Sequence, residues 1–341
     1  MNLTSVSEVP TGCRVLLRMD LDVPMDNGSV LDNYRLKKSL LTIKLLLEKE
    51  CKIVIIGHRG RPEGKDPSLS LRPVYAELMS LLEQNGHDVV KSVFVDEADD
   101  REKIAMVIES NSIVFVENLR FWPGEKQNSD EFLGAIKEVC QYFVNDAFGV
   151  AHRRDASIML GKKMSTFFGL AFVEEVEKLE KIRQDPERPL VVMLGGAKKD
   201  KLDYLSGLCE LADKVLIGGK LISMIGEDDL RNEKVVVGML TETGLDINEK
   251  SVVMFEEELS KARTVIWVGA LGKFEIEEGA GSTKRVADFL AQKDVLWVMA
   301  GGDSVASIRG LGVEDKVDLM ASGGGVVLEY LTQGKLVAWE N

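Results

Sequence analysis

Two kinds of loop in this 341-residue chain carry residue types that could do chemistry. The first kind is polar and basic. Asp20 and Asp22 follow one apolar run, Arg35 opens the next amphipathic stretch, and His58-Arg59-Gly60-Arg61, Glu117-Asn-Leu-Arg120 and His152-Arg153-Arg154 follow further apolar runs. Arginine presents a planar fork of N–H donors that matches carboxylate and phosphate oxygens, so several in succession predict an anion site. The second kind is glycine-rich: Leu194-Gly195-Gly196-Ala-Lys198-Lys199-Asp-Lys201, Gly218-Gly219, Gly269, Gly272, Gly301-Gly302 before Asp303-Ser304, and Gly323-Gly324-Gly325. Glycines at a helix start leave backbone N–H groups free and let phosphate oxygens approach closely. Lysine and aspartate beside them suit a polyphosphate and its Mg²⁺.

One at a time, these residues have plainer readings. An arginine serves as surface charge, His58 as a hydrogen-bonded loop residue, Asp303 as a helix N-cap. Asp20 and Asp22 serve as turn formers before Pro24, and Gly195-Gly196 as a cap ahead of a basic helix face. No G-x-x-x-x-G-K-[ST] is present. Segregation shifts the balance: basic loops fill one half and glycine loops the other. Two anionic ligands on two domains predict phosphoryl transfer across a cleft, with closure excluding water.

The elements that must position these loops alternate along the chain. Arg14–Arg18, Lys52–Gly57, Val89–Val95, Ser112–Val116 and Tyr142–Asn145 read as strands, as do Leu190–Leu194, Lys214–Ile217, Thr264–Val268 and Val295–Ala300. Helical periodicity covers Tyr34–Glu50, Leu71–Gln84, Asp100–Glu109, Ser129–Cys140, Phe172–Ile182, the stretch from Lys198 to Ala212, Ser282–Gln292 with Ser282 as N-cap, and Val326–Leu331. This is an α/β rhythm of mostly parallel sheets with helices on both faces, and ligands of such sheets sit at the carboxyl ends of strands. The charged helix before Asp185-Pro-Glu-Arg-Pro189 marks a domain boundary.

Composition narrows the partners. Hydrophobic residues make up 45% and charged residues 29%, as in an ordinary globular protein, and the net charge of −13 argues against nucleic acid and anionic membrane. No run approaches a membrane span, no signal-peptide pattern is present, and the scattered Cys13, Cys51, Cys140 and Cys209 fit reduced thiols in a cytoplasm.

At these residues the sequence resembles the phosphoglycerate kinase family along nearly its whole length. Arg18-Met-Asp-Leu-Asp-Val-Pro24 resembles R-x-D-F-N-V-P, and Gly57-His-Arg-Gly-Arg-Pro62 resembles S-H-L-G-R-P. Glu117-Asn-Leu-Arg-Phe121, Val144-Asn-Asp-Ala-Phe-Gly149, Ala151-His-Arg153 and Leu194-Gly-Gly-Ala-Lys198 match E-N-L-R-F, V-N-D-A-F-G, A-H-R and L-G-G-A-K. Trp267–Glu275, Gly301-Gly-Asp-Ser304 and Ser322–Gly325 are similar to W-N-G-P-x-G-V-F-E, G-G-D-T and T-G-G-G.

The resemblance implies two Rossmann-like domains joined by a helix and facing each other across a cleft. The expected bounds are 1–171 for a phosphoglycerate-binding domain, 172–188 for the interdomain helix and linker, 189–322 for a nucleotide-binding domain, and 323–341 for a helix and tail returning toward the first. Asp20, Asp22, Arg35, His58, Arg59, Gly60, Arg61, Arg120 and Arg153 would hold 3-phosphoglycerate or 1,3-bisphosphoglycerate. Gly195, Gly196, Gly219, Gly301, Gly302, Ser304 and Lys201 would hold ATP or ADP phosphates, Glu275 the ribose, and Asp303 the Mg²⁺. Arg35, Lys198, Lys201 and the backbone of Gly323 and Gly324 would serve the transferring group. The implied protein is a monomeric, cytoplasmic phosphotransferase of glycolysis that acts on a carboxyl group, an acceptor already ionised at neutral pH and needing no general base.

Departures from the pattern leave two alternatives, a catalytically degraded homologue that binds a metabolite or protein, and a kinase for a related small carboxylate. The chain is short between Gly219 and about Leu245, Val268 and Ala270 replace Asn and Pro, and the glycine–lysine loop lacks a residue, so that Lys199 competes with Lys198. Asp22 stands for Asn, Arg59 for Leu and Asp155 for His. A pairing of Asp22 with Arg59 would relieve the charge that Asp22 puts beside an anionic substrate.

Overall fold

The computed structural model describes residues 3–86 and 91–339. Packing divides the chain into two compact units, Met1–Glu174 with Val337–Asn341, and Glu175–Leu336. The division falls inside helix Leu170–Gln184.

The first unit contains β1 (Arg14–Met19), the small antiparallel hairpin of β2 (Met25–Asp26) and β3 (Ser29–Val30), then β4 (Lys52–Ile56), β5 (Ser92–Val95), β6 (Ile113–Val116), β7 (Tyr142–Asp146) and β8 (Ser165–Phe168). The six longer strands form one parallel sheet in the order β5-β6-β4-β1-β7-β8. Alternation splits its side chains into two cores. Val15, Leu17, Ile53 and Ile55 join a cluster with helices Tyr34–Glu48 and Arg72–Gln84, while Leu16, Val54 and Ile56 join one with helices Arg101–Ile108 and Asp130–Val139. Both faces are therefore covered, which is why these strands read as continuous apolar runs. Of the expected strand Val89–Val95, residues Val89 and Val90 lie outside the described residues.

The second unit contains β9 (Leu190–Leu194), β10 (Lys214–Ile217), β11 (Val235–Val237), β12 (Thr264–Val268), β13 (Leu296–Ala300) and β14 (Leu319–Ala321). They form a parallel sheet in the order β11-β10-β9-β12-β13-β14. The chain builds outward from β9 in one direction, then restarts at β12 and builds in the other. Such a reversal opens a ligand crevice at the carboxyl ends of its two central strands. The last helix, Gly324–Gln333, packs within this unit: Tyr204 Oη donates to Glu329 at 3.2 Å, and Gly207 lies against Thr332. Trp339 stacks edge-on against Phe168 and Phe172 in the first unit, and the Ala338 N–H donates to the Ala151 carbonyl.

Two helix expectations need correction. The helix expected to begin at Ser282 starts a turn and a half earlier, at Glu277, because Ser282 is an interior residue whose N–H and hydroxyl both go to buried Asp246. The stretch after Lys198 is a 3₁₀ helix, Lys199–Tyr204, before the α-helix Leu205–Leu211 begins.

Candidate functional site

In the first unit the polar loops meet at the carboxyl ends of the strands. Asp20 follows β1, and its Oδ1 accepts from Arg35 Nη1 at 3.0 Å. Arg35 sits in the first turn of helix Tyr34–Glu48 and also donates to the Asp22 carbonyl at 2.9 Å. Asp20 Oδ2 is buried with no hydrogen-bond partner among the described residues, an acceptor suited to a ligand hydroxyl.

Gly60 ties three of these loops together. Its N–H donates to Asp22 Oδ1 at 2.8 Å and its carbonyl accepts from Arg120 Nη1 at 2.8 Å. Its φ of +64° is left-handed, and a Cβ there would stand 2.8 Å from Leu69 Cδ2, so the turn requires glycine. The expected Asp22–Arg59 ion pair is not among the contacts of the described residues. Asp22 is taken by the Gly60 N–H, and Arg59 Nη1 donates to the Ser70 carbonyl at 3.0 Å. The two interact only through space: burial lowers the Arg59 pKa and the Asp22 charge partly opposes that.

His58, after β4, is buried, and Arg18 Nη2 lies 2.7 Å from its Nδ1. Burial, reinforced by the charges of Arg18, Arg120, Arg153 and Arg35, holds His58 well below the usual histidine range. The charges of these four arginines all act on this one imidazole. Arg153 is half-buried, and its pKa is lowered by burial and then by Arg120 and Arg61; Arg61 itself is exposed. Beneath them Arg18 is wholly buried, and its Nε donates to Ser157 Oγ at 3.0 Å. Ser157 in turn donates through Oγ to Glu125 Oε1 at 2.5 Å and through its N–H to Oε2 at 3.0 Å. Sequence reading assigned no role to Arg18, Glu125 or Ser157. The signals were an arginine near the end of a mostly apolar strand and its place at the head of the Arg18–Pro24 motif.

In the second unit the glycine loops meet where the sheet order reverses. The Gly195 N–H donates to the Val268 carbonyl and the Gly196 N–H to the Ala270 carbonyl, joining the ends of β9 and β12. A Cβ on Gly269 would stand 2.2 Å from the Gly195 carbonyl oxygen and 2.3 Å from Lys201 Nζ. Only bare backbone fits, and Gly219 lies against Gly196 as well. Lys201 Nζ donates to the Gly195 and Val268 carbonyls at 2.7 and 3.3 Å, which sets an ammonium directly over this crevice. Lys198 is exposed and extended at the N-cap of the 3₁₀ helix, so it does not share a helical face with Lys201, although the helical reading of Lys198 to Ala212 put both on one helix. Ser304 Oγ accepts from the Gly269 N–H at 2.7 Å and is buried. Gly323 is the N-cap of helix Gly324–Gln333, with no side-chain cap bond, and Gly301 lies beside Gly324. Glu275 is exposed in the turn before helix Glu277–Leu290. Gly302 and Asp303 open helix Gly302–Arg309, and the side chain of Asp303 lies outside the described residues.

Among the described residues no group of three or more His, Cys, Asp or Glu is placed to hold a metal ion. A Mg²⁺ bound through nucleotide phosphates needs only one or two carboxylates. A cradle that Cβ atoms would fill, an ammonium over it and an uncapped helix start fit the phosphates of a nucleotide.

A sequence model of the phosphoglycerate kinase family matches residues 7–229 and 227–335, its two stretches meeting inside the shortened segment after Gly219. There the chain has only the 3₁₀ turns Gly219–Ser223 and Asp229–Arg231 before β11. A phosphoglycerate kinase of Dictyoglomus turgidum is 33% identical, the match covering 95% of this chain and 93% of that one. One of Rubrobacter xylanophilus is 34% identical over 94% and 93%. The crystal structure of phosphoglycerate kinase from Pyrococcus horikoshii OT3 superimposes with a TM-score of 0.84 at 25% identity, covering 98% of this chain and 97% of that one. With its motifs in order, its two parallel sheets and this similarity over nearly its full length, the chain belongs to the phosphoglycerate kinase family.

Proposed function

We propose that the protein transfers the γ-phosphoryl group of ATP to the carboxylate of 3-phosphoglycerate, and catalyses the reverse reaction from 1,3-bisphosphoglycerate and ADP. The observation that carries this reading is the cluster of arginines whose charges act on a buried His58, in a chain whose other unit offers a glycine cradle beneath Lys201. Arg35, Arg120 and Arg153 bind the anionic ends of the acid, and Asp20 accepts from its hydroxyl. His58 cannot act as an acid at neutral pH; it donates a hydrogen bond through Nε2, since Nδ1 faces an arginine that only donates.

The second unit binds the nucleotide phosphates on the backbone around Gly195, Gly196 and Gly269, with Lys201 against their charge. Asp303 would hold the Mg²⁺, which neutralises phosphate charge when bound. A carboxylate oxygen of the acid attacks the γ-phosphorus, the bond from phosphorus to the β–γ bridging oxygen breaks, and ADP leaves with the electron pair. No proton moves, so the residues contribute position and positive charge. Arg35, Lys201 and the N–H groups at Gly323 and Gly324 supply that charge, and Lys198 follows the transferring group. Glu275 binds the ribose. The working form is a cytoplasmic monomer, a setting consistent with four unbridged cysteines.

A coupled assay with 3-phosphoglycerate and Mg·ATP tests the reading. Turnover is expected, and it is expected to fall steeply in both Arg35→Ala and Lys201→Ala. A chain that neither turns over nor binds Mg·ATP at millimolar concentration by calorimetry would overturn it.

A further inference from the structure

Asp155 replaces a family histidine, and its carboxylate does not do what its place in the chain predicts. It is the N-cap of the short helix Ala156–Met159, in extended conformation, yet it makes no capping hydrogen bond. The Ser157 N–H that such a cap would take goes to Glu125 instead. Asp155 Oδ2 accepts from Arg120 Nη2 at 3.1 Å, in a pair whose side chains are 4% exposed for the arginine and 13% for the aspartate. Its charge also acts on Arg18 and Arg153. The engagement is incomplete. Nη1 goes to the Gly60 carbonyl, Nη2 takes one carboxylate oxygen, and Nε is buried with no partner among the described residues.

A guanidinium with a free, buried Nε–H has unused capacity for an oxyanion. A phosphate that bridges Nε and Nη2 satisfies both donors with a charge near −2, where Asp155 satisfies one with a charge of −1. A phosphate there would share the Nη2 nitrogen with Asp155, and two anions held side by side on one nitrogen repel each other. We propose that Asp155 is a built-in competitor for the substrate's phosphate: it holds Arg120 in the free protein, yields it when the acid binds, and so lowers the affinity of the site. This rests on the substrate reading given above. It makes Asp155 a specificity-determining residue that a family histidine at the same place would not be.

The test is direct binding of 3-phosphoglycerate to the full chain by calorimetry, in the wild type, Asp155→Asn and Asp155→His. The competitor role predicts an affinity about five- to tenfold tighter in Asp155→Asn, with Asp155→His at least as tight. In activity assays KM for 3-phosphoglycerate falls while KM for ATP stays put. Without ligand, Asp155→Asn melts below the wild type because Arg120 loses the charge that pairs with it, and 3-phosphoglycerate raises its melting temperature by more than it raises that of the wild type. A merely structural Asp155 would give weaker acid binding and a smaller ligand shift. Unchanged or weaker binding in both variants, with a wild type that binds, would overturn this inference alone. A wild type that does not bind 3-phosphoglycerate overturns the substrate reading, and this inference with it.

Discussion

Arg18 Nη2 donates to His58 Nδ1 at 2.7 Å, and this contact decides what the histidine can do. Arginine has no acceptor and does not deprotonate in a protein, so Nδ1 must carry the lone pair and Nε2 the proton. The imidazole is thereby a donor through Nε2, and it is held neutral first by burial and then by the arginine charges. Arg18 is fixed in turn by Ser157 and, through it, by Glu125. A site for a substrate with several negative charges thus gains a neutral donor at its centre, and a buried carboxylate balances the cation that orients it.

The first prediction concerns acid. His58 in the folded protein titrates well below its ordinary 6.5, whereas in the unfolded chain it titrates near that value. Between those two values the unfolded state binds a proton that the folded state refuses. Stability from this group is fully present above 6.5 and is lost as pH falls, with a limiting slope of about 1.4 kcal/mol per pH unit. His58→Asn keeps an acceptor for Arg18 and cannot titrate. Its melting temperature relative to the wild type should therefore rise between pH 7.5 and pH 5.5, and a pH-independent difference would refute the assignment.

A second prediction also concerns pH, with the opposite sign. Asp146, at the end of β7, is buried and accepts from the Phe172 N–H at 3.2 Å in the first turn of helix Leu170–Gln184. Burial pushes its carboxyl up to about 6, against an ordinary 3.8. Between about 4 and 6 the folded state holds the proton and the unfolded state has released it, so this contribution shrinks as pH rises through that window. Asp146→Asn removes the titration. The variant should gain stability relative to the wild type between pH 4.5 and pH 7.5, read as the difference in urea midpoints at the two pH values.

Gly60→Ala should cost both stability and substrate affinity. The φ of +64° is left-handed, and the added methyl meets Leu69 Cδ2 at 2.8 Å, so a loss of about 1–3 kcal/mol is expected. The same residue's N–H and carbonyl hold Asp22 and Arg120, so displacing the turn loosens the acid site. KM for 3-phosphoglycerate should rise severalfold with KM for ATP unchanged. If both KM values moved together, the turn would not be specific to the acid.

Much of this arrangement is legible in the sequence because burial on both faces of a parallel sheet leaves a plain record. Val15 to Leu17 and Ile53 to Ile56 read as strands with no ambiguity, and the loops after them carry the site. The edge strands β8, β11 and β14 did not stand out, since Ser165–Phe168, Val235–Val237 and Leu319–Ala321 are short and paired on one side only. Helix Glu249–Leu259 also went unread, and helix Gly302–Arg309 was marked only by Asp303 as an N-cap, a place that Gly301 takes. Arg18 was visible as the end of a strand and the head of the Arg18–Pro24 motif; its role depends on Glu125 and Ser157, which no periodicity brings together. Nor could spacing show that Lys201 sits in a 3₁₀ turn, where three residues make a full turn, while Lys198 precedes it in extended backbone. The partner of Asp22 was not legible either, because the Gly60 backbone N–H takes the carboxylate while the adjacent Arg59 turns to the Ser70 carbonyl.

The lysine geometry yields the last prediction. Lys201 Nζ rests on the Gly195 and Val268 carbonyls at the point where β9 and β12 diverge, while Lys198 is exposed. An ammonium over bare backbone in a crevice is worth more against phosphate charge than one in water, because the surrounding dielectric is lower. Lys201→Ala should therefore reduce kcat about 10²- to 10³-fold and weaken Mg·ATP binding, whereas Lys199→Ala, an exposed residue of the same turn, should change either by less than about threefold. Because Lys201 also ties two strand ends together, Lys201→Met serves as a control that keeps the aliphatic stem. If Lys201→Met restored the melting temperature and also kcat, packing of the stem and not the amine would account for the loss. If it restored stability alone, the charge would be the catalytic contribution. Binding of 3-phosphoglycerate to either variant should match the wild type, since the acid's arginines all belong to the first unit.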